Sequence, residues 1–331
     1  MSSIIVEMSP LAFAIVNVPV SVATTLMNMF FIYCMFSSQD GSEICQKPPL
    51  NVLVGSLIGC NLLLNICNLV FVIYKTVDVP VWAYIVSCAL ILYAMRTSFT
   101  ASLGLNVFYY FQIVPARHPC LIWVKTRIKL FMYFMLVFDR IFFSFGFILQ
   151  VLPGRVFISA VDFNSSSILT SRGLILRYYL ILTDFWLRCC YCFICLGIMV
   201  ASNTSTVLYL WKHVKSMENS SSSSALHYRK QKRVTTLSII QTVLFFFSSG
   251  WLITEELMFR FNINFNPTGH VLFSIVACYA FGTTVILGVG QSKFRLRAVD
   301  IVKKLGRIVL RSNLNVGDVN VNFRLSDTGK G

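Results

Sequence analysis

WKHVKSMENSSSSSALHYRKQKRV occupies Trp211–Val234. It begins basic, runs through five consecutive serines and ends basic. Taken alone it fits a linker between soluble domains, a nuclear address or a nucleic-acid arm. Its flanks argue against all three. Residues 178–211 before it and 234–258 after it are apolar runs, and a bilayer is crossed by about 20 mostly apolar residues. A basic segment held between two such runs is a surface connection of a membrane protein.

The rest of the chain agrees. Of 331 residues, 56% are hydrophobic and 12% charged, where a soluble domain carries about 25% charged residues. Phenylalanine alone accounts for 29, and the mean hydropathy is +0.72. A net charge of +15 would point to nucleic acid in a soluble protein. Between membrane spans it reports topology instead, so no nucleic-acid partner is expected. Nine of the eleven cysteines sit in apolar runs. Cys189, Cys190, Cys192 and Cys195 lack a histidine to complete a zinc set and read as small hydrophobes. No metal and no cofactor are expected. The N-terminus lacks a basic n-region, and its first apolar run is too long for a cleavable signal.

Seven spans are expected, at about 11–36, 49–74, 81–112, 129–152, 178–211, 234–258 and 269–290. Residues 1–290 then form an all-α, seven-transmembrane bundle, and 291–331 a tail, partly disordered from SNLNVGDVNVNFRLSDTGKG onward. The fourth span is the least regular, because Asp139 and Arg140 interrupt it. Twenty lysines and arginines fall on the side of the odd-numbered connections and tail, and five on the other. The basic side is cytoplasmic, which puts the N-terminus outside and the C-terminus inside. Asn164, in the sequon Asn164-Ser165-Ser166, falls outside and is the candidate glycosylation site. The sequons at Asn219 and Asn203 fall inside and within a span.

Seven helices with an external N-terminus suggest a receptor at the plasma membrane. A retinal protein needs a lysine in the seventh span, and 269–290 has none. A transporter of the repeated-half kind should show internal similarity, and no convincing repeat is present. An insect-type chemoreceptor channel would reverse the charge asymmetry. No phosphate-binding glycine loop, HExxH or nucleophile–base pair is present, so no catalytic residue and no enzyme are expected.

LNVFYYFQIVPARHPCLIWVKTRIKL closes the third span, LYLWKHVKSM the fifth and ILGVGQSKFRLRAV the seventh. NMFFI, at Asn28–Ile32, lies in the first. In these motifs the chain resembles the vertebrate bitter taste receptors, the type 2 taste receptors. The residues that carry the resemblance include Phe108, Tyr109, Phe111, Ile113, Pro119, Lys125, Arg127, Trp211, Lys212, His213, Lys215, Met217, Gly288 and Lys293. The family's arginine in the second helix is missing from GCNLLLNICN, the lysine after its FYF is Gln112, and the histidine–serine pair of its seventh helix is Phe281-Gly282. These departures mark a divergent member, of the kind expected in a fish or another non-mammalian lineage. A vomeronasal type 1 pheromone receptor is the nearest alternative, and a polytopic small-molecule transporter the alternative of a different class.

The resemblance implies a ligand pocket in the outer half of the bundle, lined by the third, fifth, sixth and seventh spans. Ile91 and Met95 fall where the family's polar anchors stand. With Phe99 they suggest an apolar wall with Arg96 beside it, fitted to a bitter small molecule with an aromatic body and a polar or anionic handle. Asp184 and Arg188 share a helical face at i,i+4 spacing, so an internal pair is the expected reading ahead of a ligand clamp. Glu255, Glu256 and His270 are expected at a pocket rim or a solvated interface. Asp139 and Arg140 are sequence neighbours and need separate partners.

On the cytoplasmic side the resemblance implies contact with a heterotrimeric G protein of the gustducin kind, through Tyr109, Gln112, Lys125, His213, Lys215 and Arg233. The same basic surface attracts anionic membrane lipids, at about 1 kcal/mol per basic residue. Homo-oligomerisation is left open by the sequence. The serine run is expected to be a flexible turn between the fifth and sixth spans.

Overall fold

The computed structural model describes residues 8–36, 48–74, 80–115, 118–161, 167–217, 222–261, 269–304 and 306–307. Among these there are helices and no strand. In chain order the helices are α1 (Pro10–Phe36), α2 (Pro48–Tyr74), α3 (Val81–Ile113), α4 (Pro119–Thr126), α5 (Ile128–Val161), α6 (Ser167–Met217), α7 (Ser222–Arg260) and α8 (His270–Gly290). All but the short α4 are long and apolar enough to cross a membrane. The chain is therefore a seven-helix transmembrane bundle, as its apolar runs require: in lipid, only a helix satisfies its own backbone hydrogen bonds segment by segment. Residues 292–304 are helical again after a break at Gln291.

Proline and glycine set several boundaries. Pro80 caps α3, and Pro119 stands in the first turn of α4, where its missing N–H costs nothing. Gly269 takes φ 70° immediately before α8, a left-handed turn that a β-carbon would strain. The serine run departs from expectation. Ser222–Ser224 already belong to α7, so only 218–221, outside the described residues, separate α6 from α7. No glycine or proline interrupts 211–234, and serine is well tolerated at a helix start. Asn164 and the tail from 308 also lie outside the described residues.

α3 is the axis of the bundle. It packs against α2, α5, α6 and α7, and 67% of its apolar window is buried. One apolar cluster, around Phe13, Phe71, Met95, Phe99, Phe245, Phe273 and Tyr279, fills the half nearer the chain's N-terminus, here termed the N-end. A second, around Phe31, Leu53, Leu57, Phe108, Met132 and Leu287, fills the opposite half. Phe294, from the helical stretch after α8, stacks on Phe31 with centroids 4.4 Å apart.

Glycine permits the closest helix contacts. A β-carbon at Gly104 would stand 2.7 Å from a Leu53 methyl and 2.9 Å from that of Met135. At Gly288 it would stand 2.8 Å from the Phe31 ring. Small residues at such crossings are the usual device of membrane bundles.

Between α1, α2 and α8 runs a buried polar seam. Asn17 donates to Ser274 at 2.7 Å, and Asn68 donates to Asn17 and Ser21 at 3.1 Å. Asn28 and Asn61 both donate to Thr284 at 3.1 Å, and Asn61 also to Thr283 at 3.0 Å. Thus the asparagines of GCNLLLNICN, which stand where the family pattern has its arginine, are structural donors here. Asp139 and Arg140 leave α5 unbroken, because each has its own partners. Asp139 accepts from Thr100 and Tyr191, while Arg140 donates to Ser56 at 2.6 Å and Cys60 at 3.3 Å.

Candidate functional site

Charged side chains from three spanning helices meet inside the N-end half. α6 supplies Asp184 and Arg188 one turn apart, and α7 supplies Glu256 and Arg260 at the same spacing. Arg188 bridges the two helices: one terminal nitrogen donates to Asp184 and the other to Glu256. Arg260 reaches Glu256 at 3.4 Å, donates to the Ile181 carbonyl at 3.1 Å and lies over the Phe185 ring at 4.5 Å. Long, delocalised guanidinium groups suit this forked bridging.

Arg96 enters the same region from α3. It is 4% exposed, and its Nε is buried without a partner. Its guanidinium lies 5.8 Å from the centre of the Phe143 ring of α5. Gly146, one turn further along α5, leaves the space between: a β-carbon there would stand 3.0 Å from Asp184 Oδ1 and 3.6 Å from Arg96 Nη1. The sequence placed Arg96 beside Ile91, Met95 and Phe99. The structure separates them. Those three lie on a stripe that belongs to the apolar cluster shared with Phe245, Val276 and Tyr279 of α7 and α8, with Phe99 against the Phe245 and Tyr279 rings. Arg96, a hundred-degree step further round α3, faces α5 and α6 instead.

The two adjacent glutamates divide. Glu256 joins the cluster, while Glu255 accepts from Trp251 Nε1 at 3.0 Å on its own helix. His270 is neither rim nor interface. It is 1% exposed, stacks on Phe13 with centroids 4.6 Å apart, and its Nδ1–H donates to the Met8 carbonyl at 2.8 Å. A histidine at a helix start is normally wet. Here Met8, just before α1, lies against it.

The opposite end is closed by polar ties between α3, α7 and α8. Gln291 donates to the Tyr109 hydroxyl at 2.8 Å, and Arg233 donates to the Val289 carbonyl. Beside them a small cavity, partly open, is lined by Leu105, Tyr109, Leu237, Gln241, Ile286 and Gln291, among others. Deeper in, Asn106, Ser202, Asn203, Ser238 and Thr242 bind one another across α3, α6 and α7, with Ser202 donating to Asn106 at 2.6 Å and Asn203 to Thr242 at 2.7 Å. Gln112, Lys125 and His213 are exposed at this end. Lys215 lies in the last turn of α6.

The sequence passed over Arg260 and Gly146 as site residues and took Arg188 only as a structural partner. The i,i+4 spacing of Glu256 and Arg260 was visible; that Arg188 would join it from another helix was not. No motif marked Gln291. The family model described as taste receptor protein (TAS2R) matches residues 12–305. No curated protein matches the chain.

Proposed function

Because this chain belongs to the taste receptor (TAS2R) family, we propose that it detects bitter small molecules at the N-end of the bundle and activates a heterotrimeric G protein at the opposite end. At the coarser level it is a multi-pass membrane receptor of the taste type, in a family of receptors and not of enzymes. The basic asymmetry of the connections supports an external N-terminus, which makes the N-end the outer half of a receptor that works at the plasma membrane.

The observation that carries this reading is the pairing of two polar regions by the same helices. α3 and α7 both contribute to the charged cluster, through Arg96 and Glu256, and to the ties at the opposite end, through Tyr109 and Arg233. A ligand that prefers one arrangement of the first shifts the population of the second. Ile91, Met95 and Phe99 supply an apolar wall packed against α7 and α8. Asp184, Glu256 and Arg96 supply polar anchors, with Glu255 at the margin. Gln112, Lys125, His213 and Lys215 form the surface that meets the G protein, of the gustducin or another inhibitory class. Anionic lipid screens the same basic face.

The test is a bitter-compound panel on cells expressing the chain, read as calcium release with and without a co-expressed chimeric G protein. Responses that require the G protein are expected. Substrate flux without it would replace the receptor with a transporter.

A further inference from the structure

The helical stretch 292–304 after α8 has an inner and an outer side. Phe294 is buried and stacks on Phe31 of α1. At about 100° per residue, Val302, Val299 and Leu296 fall about 80°, 140° and 200° round the helix from Phe294, and all three are exposed. Arg295 falls among them, at about 100°, and is exposed too. Lys293 and Arg297 lie on the other side, towards Cys34 of α1. An apolar strip with basic residues along it is the pattern of a helix lying in a membrane interface. Its place fits, because the stretch leaves α8 where that span ends, at Gly290. The start of α7 stands beside it. Arg295 is close enough to Arg233 of α7 for the two charges to repel. Arg229, one turn before Arg233 and on the same face of α7, is exposed. The apolar window of α7 begins at Gln231, so these two arginines straddle the membrane edge. Three guanidinium groups from two elements thus gather where α7 meets the end of α8, and like charges so placed are destabilising.

We infer that the seam marked by Arg229, Arg233 and Arg295 binds the headgroup of an inner-leaflet lipid that carries several phosphates, a polyphosphorylated inositol lipid. The inference rests on the proposed function only in taking this end of the bundle as cytoplasmic. Charge supports the occupant: residues 292–307 hold six lysines and arginines against one acid, Asp300. Diffuse attraction would serve any part of the basic face equally. Here the charges come from two separate elements, and a headgroup with one charge answers only one of them. A guanidinium fork gives phosphate two parallel hydrogen bonds, so a headgroup with two or more phosphates holds α7 and the stretch 292–304 together and offsets their repulsion. It reinforces the tie that Arg233 makes to the Val289 carbonyl. The exposed Val299 and Val302 beside Arg295 favour a lipid over a soluble phosphate, because they meet its acyl chains.

The test uses the full chain in nanodiscs of zwitterionic lipid, alone or with phosphatidylserine or phosphatidylinositol bisphosphate at matched total charge. Thermal unfolding is followed in each. The bisphosphate lipid is expected to raise the midpoint well beyond phosphatidylserine. Arg229→Gln and Arg295→Gln should each raise the bisphosphate lipid fraction needed by about fivefold, the usual scale for one basic residue at an anionic surface, and Arg295→Lys by less. Arg295→Gln also removes a like-charge contact, so its midpoint in purely zwitterionic discs should not fall. That pairing is one misfolding cannot imitate. If Arg295→Gln is unstable, Arg229→Gln, on another helix, decides. Lys129→Gln, at the exposed start of α5, should leave the effect intact. Equal shifts from the two anionic lipids overturn the site, as does a loss from Lys129→Gln as large as that from the arginine variants. A full shift from soluble inositol trisphosphate at the same headgroup concentration, in discs without anionic lipid, overturns the lipid as occupant.

G-protein activation, measured separately on the same variants, keeps the two readings apart. Selective stabilisation by the bisphosphate lipid with no G-protein response to any compound would sink the receptor function and leave the site. Ligand responses that need the G protein, with no difference in stability between the two anionic lipids, would sink the site and leave the receptor.

Discussion

Arg188 carries more of the bundle's polar connectivity than any residue the motifs marked. It is buried, and both of its terminal nitrogens are used between two helices. Arg188→Ala therefore strands Asp184 and leaves Glu256 only Arg260, and breaking a buried pair in this way costs about 3–5 kcal/mol. The expected outcome is a marked fall in the unfolding midpoint of the purified chain. Converting all three to leucine should recover much of the loss, since an apolar replacement of a buried charge set is often neutral. Gly104 is a second residue-scale case. Gly104→Leu drives side-chain atoms into Leu53 and Met135, already within 3 Å of an added β-carbon. Overpacking of this kind costs about 1–3 kcal/mol, read in the same unfolding experiment. The pairing of Asp184 with Arg188 was legible in sequence because i,i+4 spacing is a property of one helix. Which of Glu255 and Glu256 turns inward was not, because that depends on the rotation of α7 against α6.

At the scale of elements, the contact between α3 and the residue that ends α8 matters most. Gln291 donates to Tyr109, and removing either side of this hydrogen bond frees the end of α8 from α3. Tyr109→Phe and Gln291→Leu should each raise ligand-independent G-protein activation. A net hydrogen bond of about 1 kcal/mol corresponds to roughly a fivefold shift between two conformations. The double substitution should do little more than either alone; full additivity in nucleotide-exchange rates would separate the two residues functionally. The helices themselves were readable from apolar length, since lipid leaves the backbone no other solution. The start of α7 was not, because the polar serines of 220–224 carry no apolar period and the rule that clustered serines mark loops applies to them equally well. The asparagine seam was visible only as composition. Its hydrogen bonds between helices join residues far apart in the chain, such as Asn28 and Thr284.

For the whole molecule, number and order of spans followed from hydropathy, while orientation rests on charge alone. It is open to direct measurement. Asn164 should carry a glycan and Asn219 none, so Asn164→Gln should abolish the enzyme-sensitive mass shift seen on gels. A shift that survives in Asn164→Gln and disappears in Asn219→Gln would invert the topology.

α7 extends without a break from Ser222 to Arg260. It is fastened near one end by Glu256 to α6 and near the other by Arg233 to α8. These fastenings are 23 residues apart, about 35 Å along the axis at 1.5 Å per residue. A stiff rod clamped at both ends behaves as a lever with two catches. Releasing the catch at Glu256 leaves the one at Arg233 as the fulcrum, so a displacement beside Arg188 turns the rod about a point next to the cavity at Tyr109 and carries the start of α7 the opposite way.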